Sequence, residues 1–258
     1  VKAVSWNVNS VRTRFERVLG FLDRHQPDLL CLQETKVVDD DFPRQALEEK
    51  GWLIQAHGQK TYNGVALISK TPLADVGSGF LGDHIPEQAR VIHGTLDGVR
   101  FINVYVVNGK EVGCDKYEMK LEWLDALQQW IAKDFADDTP TVILGDFNIV
   151  PDDRDIWDPE GWHEKILCST PERKRLQNLL DLGFEDLHRL HTQEAGIYTW
   201  WDYRGGAFGR GFGMRIDLAL GNAAAVARCS AVEVDRDERK KGDWEAKPSD
   251  HAPLIVSL

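Results

Sequence analysis

Two periods govern the apolar positions of this chain. Short apolar or β-branched runs of the kind that make half-buried and buried strands occur near 1–7, 28–33, 52–56, 63–69, 89–95, 100–107, 141–146, 197–201, 215–221, 229–235 and 253–257. Helical spacing replaces them near 12–25, 42–50, 117–135 and 172–182. In the third of these, Tyr117, Leu121, Leu124, Leu127, Ile131 and Phe135 recur at three- and four-residue steps, which predicts a long helix with one apolar stripe. Trp123 and Trp130 widen that stripe and read as core. Residues 204–213, R-G-G-A-F-G-R-G-F-G, read as a mobile loop whose Phe208 and Phe212 suit insertion into a duplex. The mixed-charge run 235–247 reads as a solvent-exposed connection. Many strands with helices between them predict an α/β fold of two packed sheets flanked by helices, in one domain over 1–258.

The strand-like runs end on polar groups. In T-V-I-L-G-D-F-N at 141–148, Val142, Ile143 and Leu144 predict a buried strand and Gly145 its break. Asp146 and Asn148 then share a face, because strand side chains alternate with period two. The run at 1–9 delivers Asn7 and Asn9, that at 28–36 Gln33 and Glu34, and that at 100–109 Tyr105 and Asn108. Asp217 stands alone among apolar neighbours at 214–220, and Asp250 and His251 lead into the last strand. Any one of these fits a polar strand end facing water. Together they bring carboxylates, amides, a phenol and an imidazole to comparable positions, where α/β folds display reactive groups.

Charge complicates the picture. The net charge of −11 argues against generic affinity for polyphosphate. A divalent-cation site needs carboxylates of its own, however, and a bound cation reverses part of the local field. Basic residues also cluster beside the motifs: Arg12, Arg14 and Arg17; Lys116 and Lys120; Arg204, Arg210 and Arg215. They predict a basic rim on an acidic body. Cys31, Cys114, Cys168 and Cys229 form no C-x-x-C pair, so neither a disulfide framework nor a zinc site is expected, and a reducing cytoplasm fits. No apolar run approaches a membrane span and no signal-peptide pattern opens the chain, so no membrane partner is expected. Nothing in the pattern asks for an obligate oligomer, and a monomer is expected.

The ordered series S-W-N-V-N-S, L-Q-E-T-K, Y-N-G-V-A, N-V-Y-V-V-N-G, L-G-D-F-N-I, Y-T-W-W-D-Y-R, R-I-D-L and K-P-S-D-H-A-P covers nearly the whole chain. It resembles the exonuclease III family of AP endonucleases, within the endonuclease/exonuclease/phosphatase superfamily. The resemblance implies a four-layer α/β sandwich, two mixed β-sheets face to face with helices outside. It implies Mg²⁺, with Mn²⁺ able to substitute, held by Glu34 in a region that Asn7 and Asp250 also approach. Asp146 would activate or orient the attacking water with Asn148 positioning it, and His251 would contact the scissile phosphate, oriented by Asp217. An alternative gives the general base to the Asp217–His251 pair. Tyr105 would donate to a phosphate oxygen, with Asn9 and Asn108 as weaker supports.

Of the adjacent Trp200 and Trp201, one is expected in the core and the other at the site. The resemblance favours Trp200, with Met214 and Ile216, as the lining of a small apolar pocket for a flipped deoxyribose lacking its base. Lys116, Arg204 and Arg210 would meet the backbone of double-stranded DNA carrying abasic sites or 3′ ends. The implied activity is incision 5′ to abasic sites and removal of 3′ blocking groups or nucleotides, with the balance among them open. Two other readings stay open: a superfamily phosphoesterase acting on a non-DNA ester, and a non-catalytic DNA- or protein-binding module.

Overall fold

The computed structural model describes residues 1–258. One sheet contains β1 (Lys2–Asn7), β2 (Leu29–Gln33), β3 (Leu53–His57), β4 (Val65–Ser69), β11 (Ala231–Val234) and β12 (Leu254–Ser257), in the order β11-β12-β1-β2-β4-β3. The other contains β5 (Ala74–Ser78), β6 (Val91–Leu96), β7 (Val99–Tyr105), β8 (Thr141–Asp146), β9 (Phe184–Asp186) and β10 (Asp217–Asn222), in the order β5-β6-β7-β8-β10-β9. Each sheet is mixed, because β1–β2 and β7–β8 run parallel and the other pairs antiparallel. The helices are α1 (Phe15–His25), α2 (Gln45–Glu48), α3 (Asp115–Asp134), α4 (Thr170–Leu180), α5 (Leu187–His191), α6 (Ala207–Arg210) and α7 (Ala223–Val226). None is long and apolar enough to cross a membrane.

Period-two alternation sorts the strand residues into layers. Ala3, Leu29, Cys31, Phe101, Val142 and Leu144 meet between the sheets. Val4, Trp6, Leu30 and Leu32 face outward onto Val18, Phe21 and Leu22 of α1. Ile102, Val104 and Ile143 face outward onto Trp123, Leu124 and Leu127 of α3 and Leu176 and Leu179 of α4. Both faces of each sheet are thus covered, which is why the central strands read as continuous apolar runs. The result is the expected helix–sheet–sheet–helix sandwich. Toward one edge, the face between the sheets turns polar. Ala3 gives way to Ser5 and then Asn7, Cys31 to Gln33, Leu144 to Asp146, and Phe101 to Asn103 and Tyr105. Gln33 donates to Asn103 Oδ1 at 2.7 Å and to Ser5 Oγ at 3.1 Å, so the two sheets are hydrogen-bonded through their polar interior.

Several elements depart from the sequence reading. Gly145 does not break β8 but lies inside it. A Cβ there would sit 1.9 Å from the Val104 carbonyl oxygen, and its φ of +147° lies outside ordinary side-chain conformations. Residues 197–201 form no strand: Trp200 makes isolated bridges to Met214 on one side and His251 on the other. β5 and β9 were not anticipated; β5 is an edge strand with four of its five residues exposed, and it lacks an alternating pattern.

The 235–247 segment is not simply exposed, since Glu238 and Arg239 are buried and Trp244 lies against Arg17 and Arg24. Nor are all the basic clusters free to meet a ligand. Arg17 donates to the carbonyls of Ala246, Glu238 and Lys241, and Arg215 is locked between Asp155 and Asp186. A long cation that ties segments together from inside has the same one-letter signature as one that waits at the surface. All four cysteines are free.

Replacing Gly145 by Ala should cost about 3 kcal/mol, because the methyl group meets backbone rather than a movable side chain. Urea unfolding of the variant measures this, and an unchanged midpoint would show that β7 and β8 can separate there.

Candidate active site

The polar edge of the sandwich is a cleft of about 420 Å³ whose walls include Glu34, Tyr105, Asn108, Asp146, Asn148, Trp200, Arg204, Ile216, Asp250 and His251. Strand register builds its floor. Asp146 pairs with Tyr105 of β7 on one side and with Asp217 of β10 on the other, so the three stand in one row across three strands. From the facing sheet, Asn7 at the end of β1 donates through Nδ2 to Asp146 Oδ2 and to Glu34 Oε1, both at 2.9 Å. Glu34 follows β2 directly, and its φ of +52° turns it into the cleft. Asn148 is likewise left-handed, at φ +50°; its backbone N–H donates to Asp146 Oδ1 at 2.9 Å, and Asn108 Nδ2 donates to its side-chain oxygen at 3.0 Å.

His251 precedes β12 and meets this row from across the inter-sheet gap. Its Nδ1 lies 2.9 Å from Asp217 Oδ2, and its Nε2 lies 3.8 Å from Asp146 Oδ2. Burial disfavours the imidazolium, but Asp217 and then Asp146 outweigh it and raise the His251 pKa to about 10. Its ring is therefore a cation at neutral pH, with Nε2–H turned to the cleft. Asp146 moves the other way from an ordinary carboxylate: burial pushes its pKa up to about 7, opposed by His251 and reinforced by Asp217 and Glu34. Burial also acts against Glu34, yet Lys36, 2.8 Å away, and Asn7 prevail and hold its pKa below the usual range. The Tyr105 phenol is raised well above its ordinary value by burial, then by Glu34 and Asp146, and stays a neutral donor.

The donor set suits a hard cation. One oxygen or nitrogen each from Glu34, Asp146 and His251 lies within 4.8 Å of the others, and two of the three are carboxylates. Glu34 and Asp146 are the carboxylates of that group. Asn7 and Asp250, expected near the ion, stand beside this group and are hydrogen-bonded there. Asn7 turns its nitrogen to the carboxylates while its oxygen accepts the Asn9 N–H at 3.0 Å. Asp250 accepts Asn9 Nδ2 and Trp200 Nε1, each at 3.0 Å, and so acts on the Trp200 indole.

The other expected residues divide. Trp200 and Ile216 line the cleft while Trp201 is buried against Phe208 and Ala252. Met214 does not line it: the residue is 1% exposed and packs behind with Val150 and Ile156. The apolar wall comes instead from Trp162, Ile166 and Leu167, in a stretch without helical or strand periodicity to mark it. Arg204 reaches the rim, its side chain 90% exposed and forked onto Asp202.

Arg210 does not line the cleft; its guanidinium lies 4.1 Å from the Phe212 ring centre. Trp157 stacks on the same ring at 3.9 Å, so the two cover opposite faces of Phe212, which is no free wedge. Phe208 is similarly held, between Trp201 and the guanidinium of Arg236. Asn9 binds Asp250 and Lys36 rather than the open cleft. Lys116 and Asn108 flank a second hollow of about 220 Å³ that shares Tyr105 and Asn108 with the first and adds Lys110 and Arg90. Arg90 was not singled out by sequence; burial conceals a guanidinium held by Gln88 and the Tyr105 carbonyl.

A buried carboxylate of raised pKa, a fixed imidazolium, neutral donors and a carboxylate pair for a cation make a site for phosphate-ester hydrolysis. The comparisons place it. Residues 4–251 match the Endonuclease/Exonuclease/phosphatase family, to which this chain belongs. Within the family it is of the exonuclease III type, an enzyme of the nuclease branch. It is 34% identical to exodeoxyribonuclease III of Haemophilus influenzae over 98% of both chains. Among solved structures it is similar to a 3′ phosphatase from Neisseria bound to a product DNA hairpin, with a TM-score of 0.94 and 44% identity over 100% of this chain and 98% of that one. An AP endonuclease from Archaeoglobus fulgidus gives a TM-score of 0.92 at 34% identity, over 100% and 99% of the two chains.

Replacing Asp217 by Asn removes the carboxylate that most strongly favours the His251 cation, so the ring should titrate at lower pH, read from its ¹⁵N shifts. The linkage has a defined sign. A histidine pKa raised from about 6.5 to about 10 contributes stability that is whole below pH 6.5 and fades as pH rises toward 10. The variant should show a weaker pH dependence of stability over that range, since Asp146 still favours the cation.

Proposed function

We propose that this protein is a Mg²⁺-dependent DNA-repair phosphoesterase, with Mn²⁺ able to substitute, that acts as a monomer and as one catalytic domain in the cytoplasm. Its substrates would be double-stranded DNA with 3′ ends that carry a phosphate, a blocking group or a nucleotide, and abasic sites incised on the 5′ side. All three reactions break the same bond, between phosphorus and a 3′ oxygen, and leave a 3′-hydroxyl. One site therefore serves them all, and the shape of the apolar wall decides among them. The row Tyr105–Asp146–Asp217, with Glu34 and His251 facing it, carries this reading.

Asp146 would take the proton of the attacking water, since a carboxylate with a pKa near 7 is a base matched to neutral pH. Asn148, braced by Asn108, would hold that water in line with the P–O3′ bond. His251 Nε2–H and the Tyr105 hydroxyl would donate to the non-bridging oxygens, where charge accumulates. A divalent ion held chiefly by Glu34 would supply charge neutralisation on the phosphoryl group and the departing oxygen, leaving Asp146 free to take the proton. Lys116, Arg204 and Arg90 stand beside this centre as candidates for the flanking phosphates, and Trp200 with Ile216 would cover the sugar face. The 44% identity to the Neisseria 3′ phosphatase supports work on 3′ ends, and the archaeal AP endonuclease supports abasic incision.

The test is cleavage of three duplexes: a recessed 3′ end with phosphate, the same end with hydroxyl, and an internal abasic analogue. Each is incubated with Mg²⁺ or EDTA. Metal-dependent release of phosphate or nucleotide without internal incision restricts the enzyme to 3′ ends; incision at the analogue adds the endonuclease. Inert behaviour on all three, with turnover of a small phosphate ester, would transfer the site to the non-DNA reading. Replacing Asp146 by Asn should lower turnover at least ~10³-fold while DNA binding persists. Unchanged turnover would remove Asp146 from the chemistry.

A further inference from the structure

Lys120 lies in the second turn of α3 with its side chain 0% exposed, as is that of its partner Glu172 in the first turn of α4. Burying two charges is costly, and a pair of apolar side chains would join two helices as well or better. Leu124, Leu127, Leu176 and Leu179 already make that junction. The ion pair is thus surplus to helix packing, and its hydrogen bonds show where else it acts.

An ammonium has three donors. Lys120 uses one on Glu172 Oε1, one on the backbone oxygen of Asn148 at 2.6 Å and one on that of Asn108 at 3.2 Å. Glu172 carries the connection further: Oε1 accepts the Leu167 N–H at 3.1 Å, and Oε2 accepts the Ser169 N–H at 3.1 Å and its hydroxyl at 2.7 Å. Asn108 follows β7, while Asn148 and Leu167 stand at opposite ends of the long β8–α4 connection, Leu167 in the apolar wall, so two loops meet at three points on one buried ion pair. Each of those loops contributes a residue to the cleft. Loops that end strands are otherwise free to move by the small distances that matter to an in-line attack.

We infer that Lys120, anchored by Glu172, is a positioning residue for the hydrolytic reaction, fixing Asn108, Asn148 and the Leu167 wall relative to one another. The inference rests on the proposed reading of the cleft as a DNA phosphoesterase site. Lys120 touches no substrate. It acts through the backbone of the two asparagines, whose side chains pair with each other at 3.0 Å over the Asp146 carboxylate. Its contribution belongs to kcat, because misplaced amides misalign the attacking water more than they weaken DNA binding.

Lys120→Met alone leaves the Glu172 charge unpaired in the interior and can cost the fold. The double variant Lys120→Met/Glu172→Gln removes both charges at similar volume and carries the test. Three readouts are taken: melting temperature; kcat and KM on a duplex with a recessed 3′-phosphate end in Mg²⁺; and the side-chain amide resonances of Asn108 and Asn148. The expected result is melting within roughly five degrees of the parent, kcat lower by about 10- to 100-fold with KM within about three-fold, and displaced amide resonances. A folded double variant with parental kcat overturns the positioning role. If the parent itself leaves every DNA substrate intact, the hydrolase reading fails instead, and the amide resonances judge the placement alone: unmoved, they overturn it.

Discussion

Crowding of negative charge is the constraint on which this structure turns. Glu34, Asp146 and Asp217 converge where the two sheets end, at a place too dry to screen them. Burial there raises the Asp146 pKa, and the neighbouring carboxylates Asp217 and Glu34 add to it. The answer comes from distant parts of the chain. His251 arrives ahead of the last strand as a cation, Asn7 places an N–H₂ group between two carboxylates, Lys36 binds Glu34, and the Asn148 N–H closes on Asp146. Of these, His251 and Asn148 line the cleft itself. Under the proposed function, a substrate with a divalent ion would draw on the same charges that make this edge tolerable.

The rest of the fold keeps that edge still. Two covered sheets leave the strands no freedom to slide, because a one-residue slip would exchange the polar inner row for apolar residues from the helix-packed face. Behind the cleft, buried cations fasten loops that the sheets do not control: Lys120 on the side of α3 and α4, Arg215 with Asp155 and Asp186 near β9 and β10, and Arg17 under the 235–247 segment. A net charge of −11 therefore misleads when read as surface alone. Part of the positive charge is structural and internal, while Arg204 stands at the cleft and Lys116 at the hollow beside it.

Much of this was legible beforehand, for a physical reason. Strand periodicity depends on backbone geometry alone, so Asp146, Tyr105, Asn7 and Asp217 could be assigned to strand ends, and Leu121, Leu124 and Leu127 to one face of a long helix, without knowing the fold. Less local features escaped. The need for Gly145 arises from the approach of Val104 on a neighbouring strand. Met214 was withdrawn behind the cleft by Val150 and Ile156, and its expected place went to Trp162, Ile166 and Leu167. Phe212 was taken out of circulation by Trp157 and Arg210.

By itself, then, the pattern determined which residues would be polar at the ends of apolar strands; that those ends meet in one acidic, histidine-bearing edge was implied only by the resemblance of the ordered motifs. Tertiary structure alone decided which of them touch: that Asn7 offers nitrogen to Glu34 and Asp146, that Asp250 serves Trp200, and that Lys120 faces inward while Lys116 faces the solvent. The reason is range. Side-chain direction is set within two or three residues along the backbone, whereas partner, burial and protonation state are set by segments that meet only when the two sheets close on each other.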